Sequence, residues 1–187
     1  MKLVLHMLAT LCIIGIISGG LLSQINEWAE PKIAEHRKAA TEKAIFEVQP
    51  EAKSYKTIEA EDLEYYQVFD ADSNLYGYAL PYEGNGFQGK IRLMIGMDCE
   101  FNELTRLKIL EQVETPGLGT RVTESNFTDQ FKGLKSLPQI DWVKGVAPSK
   151  DNEIQAITGA TISSKSVVFI MNEGLKKLRS AKQGGVK

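Results

Sequence analysis

The stretch that decides how this chain folds is Thr158-Gly159-Ala160-Thr161-Ile162-Ser163-Ser164-Lys165, where a loop leads into the last helical pattern. From Ser163 to Arg179, apolar residues recur at helical spacing and share one face. These residues are Val167, Val168, Met171, Leu175 and Leu178. We therefore predict a helix over 163–179 that closes a globular domain.

Thr161 permits two interpretations. It lies just before the helical pattern, where threonine is a favoured N-cap, and by residue type alone this ordinary role is favoured. Alternatively, unpaired N–H groups and the helix dipole hold a phosphate at this position. The hydroxyls of Ser163-Ser164 and the charge of Lys165 would then add donors. The small residues Gly159-Ala160 would let a bulky or planar group approach the backbone.

Upstream of the helix, four runs have the composition of β-strands. They are Tyr65–Phe69, Leu75–Leu80, Lys90–Met97 and Leu104–Leu110, separated by Asp70–Asn74, the glycine-rich Glu83–Gly89 and Asp98–Asn102. A short helix is predicted over Phe127–Phe131, and short strands at Trp142 and over Ile154–Ile157. Strands followed by a closing helix are typical of an α+β domain with an antiparallel sheet.

A second loop follows the last long strand, with the sequence Glu114-Thr115-Pro116-Gly117-Leu118-Gly119-Thr120-Arg121. Its density of proline and glycine predicts a segment without regular structure. Glycines in such a loop also let the backbone approach a ligand closely.

The N-terminal residues predict a membrane anchor. The run Leu3–Leu22 has no formally charged residue, and a helix of about 20 residues spans the hydrocarbon core of a bilayer. Lys2 precedes the run and Glu27 and Glu30 follow it, so the positive-inside rule puts the N-terminus in the cytoplasm. A cleaved signal peptide is the alternative, although its apolar region is usually about 7–15 residues.

We predict an uncleaved single-pass anchor over 1–25, a charged stalk or packing helix over 26–55, and an extracytoplasmic domain over 56–187. Composition narrows the function of that domain. The formal net charge is −2, so nucleic acid is not an expected partner. The cysteines Cys12 and Cys99 lie in different parts of the chain, and both histidines lie in or near the anchor. We therefore expect no metal site, disulfide or catalytic triad.

The anchor, the glycine-rich loop at 85–89, the loop at 114–119 and the tetrapeptide at 158–161 occur in this order. This combination resembles the G subunit of the bacterial Rnf ferredoxin:NAD oxidoreductase. It is also similar to the C subunit of the sodium-pumping NADH:quinone oxidoreductase. The resemblance covers nearly the whole chain, and the compact length favours the Rnf family.

The resemblance implies that FMN is bound covalently, as a phosphoester to the last threonine of the tetrapeptide, Thr161. A separate flavin transferase makes this bond from FAD. The implied flavin-binding residues are Thr158, Gly159, Ala160, Thr161, Ile162, Ser163 and Lys165, together with Glu114, Thr115, Gly117, Leu118 and Gly119 of the second loop. The family usually has an aspartate six residues before the modified threonine, whereas this chain has Gln155.

Several side chains near the implied flavin have more than one candidate role. Glu114 either orients its loop or interacts near the flavin ring, or it is a solvated carboxylate. Lys165 is either a charge partner of the phosphate or a surface lysine. The aromatic residues Tyr76, Tyr78, Tyr82 and Phe87 lie beside the flavin ring or pack within the sheet, and packing is the commoner fate.

The implied function is electron transfer in a complex of the inner membrane that exports sodium ions or protons. The chain itself would be an electron carrier within a translocase and would have no catalytic acid, base or nucleophile. Its expected partners are the other Rnf subunits and the flavin transferase. The alternatives are a component of the quinone reductase, a tethered flavoprotein reductase and an anchored binding module without redox function.

Overall fold

The computed structural model describes residues 2–60 and 63–184. Its longer elements are α1 (Lys2–Val48), β1 (Ser54–Ala60), β2 (Leu63–Phe69), β3 (Leu75–Asn85), β4 (Lys90–Met97) and β5 (Leu104–Gln112). Next come a 3-10 helix (Gly119–Thr123), α2 (Ser125–Thr128), a second 3-10 helix (Asp129–Phe131), β6 (Asp141–Lys144), β7 (Glu153–Ala156) and α3 (Thr161–Gly184). The chain divides into two compact units, Met1–Ala40 and Thr41–Lys187.

The first unit is helical. Its most apolar 18-residue window has a mean hydropathy of 2.1 and none of it is buried by protein. Large apolar side chains such as Leu3, Ile16 and Leu22 are exposed. This helix has the length and composition needed to cross a membrane, in agreement with the predicted anchor.

The second unit is built on a five-stranded antiparallel sheet in the order β1-β2-β3-β4-β5, which confirms the predicted α+β fold. The pattern does not predict β1, because this edge strand is largely exposed and Lys56 and Glu59 interrupt any regular apolar alternation. Strands β6 and β7 pair in parallel in a separate two-stranded sheet, an arrangement that the sequence analysis did not predict.

Each face of the large sheet has its own helix, because successive side chains of a strand point to opposite faces. On one face, Ala44, Ile45 and Val48 at the end of α1 pack with Val68, Ala79 and Met94. On the other face, Leu80, Leu93 and Ile95 pack with Val167, Met171 and Leu175 of α3. The predicted apolar face of α3 is therefore confirmed as its core face.

Helix α3 approaches β3 very closely at two glycines. A methyl group on Gly84 would lie 2.6 Å from Ile170 Cγ1, and one on Gly174 would lie 2.9 Å from Tyr82 Cγ. The prediction that Glu83–Asn85 belong to a glycine-rich loop is wrong, because these residues extend β3. Gly84 provides room for the helix there, and the remaining turn spans 86–89.

Replacing Gly174 with alanine tests this close approach. Alanine usually stabilises a helix by about 1 kcal/mol relative to glycine, but overpacking costs about 1–3 kcal/mol. We expect Gly174→Ala to lower the free energy of unfolding by up to about 2 kcal/mol in chemical denaturation, because the overpacking outweighs the gain in helix propensity. Ser180→Ala, at an exposed position of the same helix, should change it by less than about 0.5 kcal/mol. A more stable Gly174→Ala variant would contradict the packing.

Candidate functional site

The start of α3 lacks a capping side chain. The Ala160 carbonyl accepts the first helical hydrogen bond, from the Ser164 N–H at 2.9 Å, so Ala160 is the N-cap residue. Thr161 is the first helical residue, so the predicted N-cap role of Thr161 is wrong and the predicted start at Ser163 is two residues late. Alanine is a poor N-cap because its side chain offers no acceptor.

The missing cap leaves backbone donors open. Among the residues that the structure describes, no protein acceptor pairs with the N–H groups of Thr161, Ile162 or Ser163. Free N–H groups and the helix dipole together favour a bound anion. The Thr161 side chain is half-buried beside these donors, and its hydroxyl makes one long hydrogen bond, to the Ile157 carbonyl at 3.5 Å.

The first two serines of α3, Ser163 and Ser164, point inward. The Ser164 hydroxyl donates to the Ala160 carbonyl at 3.0 Å and accepts from the Ile157 N–H at 3.1 Å. The Ser163 hydroxyl donates to Glu114 Oε2 at 2.6 Å. Both side chains are buried. The Ser163 hydroxyl hydrogen therefore joins the second loop to the helix, and that of Ser164 is used within the first turn, so neither points to an anion at Thr161 as expected.

Glu114 is the hub of the site. Its side chain is only 4% exposed, and its Oε1 accepts from the N–H groups of Phe87 at 2.7 Å and Gln88 at 3.1 Å. Together with the Ser163 bond, these contacts form what we call the Glu114 clasp. The clasp joins the β3–β4 turn, the second loop and the start of α3. The interpretation of Glu114 as a solvated carboxylate is therefore wrong, and its orienting role is supported.

The second loop is internally ordered. The Thr115 carbonyl accepts from the Leu118 and Thr120 N–H groups at 3.2 and 3.3 Å. Gly117 has a φ of +73°, in the left-handed region that glycine adopts without strain. The prediction of a loop without regular structure needs correction at its end, because Gly119 begins a 3-10 helix.

Gly119 fits between the two partners of the clasp. A methyl group there would lie 2.6 Å from Glu114 Oε2 and 2.7 Å from Ser163 Oγ. A methyl group on Gly86, in the β3–β4 turn, would likewise overlap Glu114 Oε1. Both glycines are therefore needed for the close approach of the segments that Glu114 joins.

The two predicted loops meet at their tips. A Cβ atom on Gly159, whose φ is +87°, would lie 3.8 Å from Leu118 Cδ2. Arg121 Nη1 donates to the Thr158 carbonyl at 3.4 Å. Leu118 and Ile162 are 52% and 56% exposed. The structure thus brings together the tetrapeptide, the start of α3 and the loop at 114–119, and it leaves apolar side chains uncovered there.

Lys165 lies apart from this junction. Its Nζ is 5.8 Å from the centre of the Trp142 ring, in a cation–π arrangement.

Three of the four aromatic candidates pack within the protein. Tyr78 is buried and stacks on Phe101 at 4.5 Å, while Tyr76 and Tyr82 pack against the two cores. Packing within the sheet is therefore confirmed for these three.

Phe87 differs from the other aromatic candidates. Its side chain is 60% exposed, in the turn held by the Glu114 clasp.

Two further residues, Arg121 and Gln130, contact the tetrapeptide or the strand before it, and the sequence did not indicate them. Arg121 was quoted only as the end of the loop, and Gln130 carried no recognisable signal. The Gln130 side chain accepts from the Gln155 N–H at 2.7 Å and donates to the Gln155 carbonyl at 3.2 Å. The Gln155 side chain is exposed.

Removing the Glu114 carboxylate should destabilise the domain. Glu114→Ala leaves two N–H groups and one hydroxyl without their acceptor, and hydrogen bonds to a charged group contribute about 1.5–3 kcal/mol each. We expect the free energy of unfolding to fall by about 2–4 kcal/mol, less than the sum of three such bonds, because water can bond to the N–H groups of the exposed residues Phe87 and Gln88. Glu103→Ala, which removes an exposed ion pair with Lys135, should cost less than about 1 kcal/mol. Equal effects of the two substitutions would contradict a central role of the clasp.

Comparisons with known proteins identify the family of this chain. Residues 86–176 match the family described as the FMN-binding domain, a range that includes the Glu114 clasp and Thr161. The chain is 26% identical, over 98% of both chains, to the G subunit of the ion-translocating oxidoreductase complex of Methanosarcina acetivorans. It is 30% identical, over 70% of both chains, to the G subunit of the Na+-translocating ferredoxin:NAD+ oxidoreductase complex of Acetobacterium woodii.

The fold has a match among solved structures. The crystal structure of Shewanella oneidensis NqrC superposes with a TM-score of 0.56 and 22% identity, over 71% of this chain and 74% of the other. This likeness concerns the fold, whereas the likeness to the two G subunits extends to the sequence on both sides of the site. The chain therefore belongs to the family of Rnf-type G subunits and contains the FMN-binding domain of that family.

Proposed function

We propose that this chain is a membrane-anchored electron carrier with FMN bound covalently, through its phosphate, to Thr161 Oγ1. It would act in a complex that couples ferredoxin:NAD electron transfer to the export of sodium ions or protons. The observation that carries the proposal is the start of α3, where Ala160 leaves three N–H donors open beside a half-buried threonine hydroxyl.

The residues at Thr161 fit the phosphate end of FMN. A phosphate ester at Oγ1 would lie next to the open N–H groups of the first helical turn, where an anion is stabilised by about 0.3–1 kcal/mol or more. The ester would serve as the cap that Ala160 does not provide. Gly159 has no side chain, and among the described residues a Cβ atom there would have only Leu118 Cδ2 within 4 Å, so the approach to Thr161 is open.

The second loop fits the ring end of FMN. Leu118 presents an exposed apolar surface opposite Gly159, and a flavin ring packed there would remove that surface from water. The N–H groups of Gly117, Leu118 and Thr120 are already used within the loop. We therefore assign packing of the ring to Leu118, whereas the loop backbone chiefly keeps that side chain in place.

The chain supplies binding and orientation, and the flavin supplies reversible electron transfer. The Glu114 clasp fixes the second loop against α3, so the wall of the site and the attachment hydroxyl keep a constant separation. A covalent ester also prevents dissociation, which matters for a domain on the extracytoplasmic side. An attachment through the phosphate leaves the ring system chemically unmodified.

The proposed orientation of the chain in the membrane follows from the charged residues on the two sides of the apolar run. Lys2 precedes the apolar run, and Glu27 and Glu30 follow it, so the N-terminus would be cytoplasmic and the flavin domain extracytoplasmic. The site would be matured there by a flavin transferase that uses FAD. Other membrane and peripheral subunits of the complex would deliver and remove electrons, and they would set the coupling ion.

Replacing Thr161 tests the attachment directly. When the full chain is produced together with a flavin transferase, we expect the intact mass to show one FMN per wild-type chain and none on Thr161→Ala. Thr158→Ala should keep its flavin, because Thr158 is exposed and contributes only its carbonyl to the site. Covalent flavin on Thr161→Ala would contradict the proposal.

Replacing Gln155 tests whether this position affects the rate at which the transferase attaches FMN. The resemblance to the Rnf family implies an aspartate at this position, so Gln155→Asp should speed the attachment of FMN by the transferase. The side chain is exposed and the backbone is held by Gln130, so the melting temperature should stay within a few degrees of wild type. Time courses of in-gel flavin fluorescence measure the rate, with Gln155→Ala as the matched control. Equal rates for the three proteins would contradict a role of this position in maturation.

A further inference from the structure

We propose that Arg121 binds the flavin phosphate, so that the site recognises FMN by its charge as well as by its ring. This inference rests on the proposed function and adds a phosphate-binding side chain to the same site. Arg121 belongs to the 3-10 helix Gly119–Thr123, directly after the loop that meets the tetrapeptide.

The position of the guanidinium is the first argument. Arg121 Nη1 donates to the carbonyl of Thr158, three residues before Thr161, at 3.4 Å. Arg121 Nε lies 3.5 Å from Glu124 Oε2. Among the described residues, no protein acceptor pairs with Nη2. Because arginine has five N–H donors in one plane, the group retains donors for an oxyanion next to the tetrapeptide.

The second argument is that the other side chains expected to bind the phosphate have different partners. Lys165 has its ammonium over the Trp142 ring, and the hydroxyls of Ser163 and Ser164 are engaged in buried hydrogen bonds. The backbone N–H groups at the start of α3 carry only partial charge. Arg121 is therefore the full positive charge that the structure shows in contact with the tetrapeptide.

The local charge balance is the third argument. The Glu114 carboxylate accepts from Ser163 in the first turn of α3, so a negative charge already lies at the end of the helix that would receive a phosphate. A second anion there is repelled unless a cation is close. The ion pair of Arg121 with Glu124 is exposed, with 43% and 49% of the two side chains accessible. Such a pair is worth little, so the guanidinium is free to turn to a stronger phosphate partner.

Comparing FMN with riboflavin isolates the phosphate contribution. The full chain, produced without transferase and solubilised in detergent, is titrated with each flavin while flavin fluorescence is recorded. For Arg121→Gln we expect the Kd of FMN to rise roughly ten-fold, as for the loss of one charge-assisted hydrogen bond. The Kd of riboflavin should be unchanged. Arg121→Lys should fall between, because lysine keeps the charge but not the planar donors.

Arg106→Gln is the matched control, since Arg106 is also exposed but lies in β5. It should leave both dissociation constants unchanged. Equal weakening of FMN and riboflavin by Arg121→Gln would indicate a structural role and overturn the inference. A wild-type chain without preference for FMN over riboflavin would overturn it as well.

The proposed function is judged separately, from the intact mass of the chain after maturation by the transferase. A wild-type chain that carries covalent FMN but shows no phosphate preference would leave the proposed function standing without Arg121. A chain that prefers FMN but acquires no adduct would support Arg121 and refute the covalent attachment.

Discussion

The buried carboxylate of Glu114 is the contact on which the rest of the site depends. Its hydrogen bonds join residues 27, 26 and 49 positions apart in the sequence. A buried carboxylate without partners is very unfavourable, so all three donors must be in place when the domain is folded. The turn after β3, the second loop and the start of α3 are therefore fixed as one unit. Glycines at 86 and 119 are part of this arrangement, because side chains there would occupy the space of the carboxylate.

The first turn of α3, in contrast to the fully paired Glu114, leaves hydrogen-bond donors unpaired. It has no capping side chain, and this reduces the stability of the domain. A ligand that pairs with those donors recovers the lost stability, because any group that binds only the folded state stabilises it. An open helix end beside a firmly held loop would therefore suit the proposed attachment of FMN after folding.

The sequence predicted the elements that have a strong periodic signal. Strands β2 to β5 and helix α3 show alternation or a continuous apolar face, and the antiparallel order follows from the short turns between them. The meeting of the second loop with the tetrapeptide was also expected, through the resemblance to flavin-binding subunits. Strand β1 was missed because this edge strand has only a few partly buried apolar residues, such as Tyr55 and Ile58, without regular alternation. The end of β3 was missed because Gly84 looks like a loop residue until the packing of Ile170 against it is known.

Side-chain roles were harder to predict than the fold. Ser163 and Ser164 were expected to face an anion because serine is a common donor at a helix start, yet both point into the protein. The direction of Ser163 depends on Glu114, which is far away in the sequence. Lys165 was expected near the phosphate by proximity along the chain, but Trp142 attracts its ammonium. Arg121 carried no signal of its own, because its contact with Thr158 spans 37 residues.

The Glu114 clasp joins segments that are far apart in the sequence. The tetrapeptide therefore cannot be transferred to another protein together with its surroundings as a short peptide. Moved alone into a surface loop of an unrelated protein, Thr158 to Thr161 would carry over the proposed attachment hydroxyl but not the loop that lies opposite it. A flavin esterified there would swing on its ribityl chain and sample many distances to a redox partner. A useful graft would need the entire segment from the β3–β4 turn to α3, so engineered electron relays based on this family should exchange domains and not short tags.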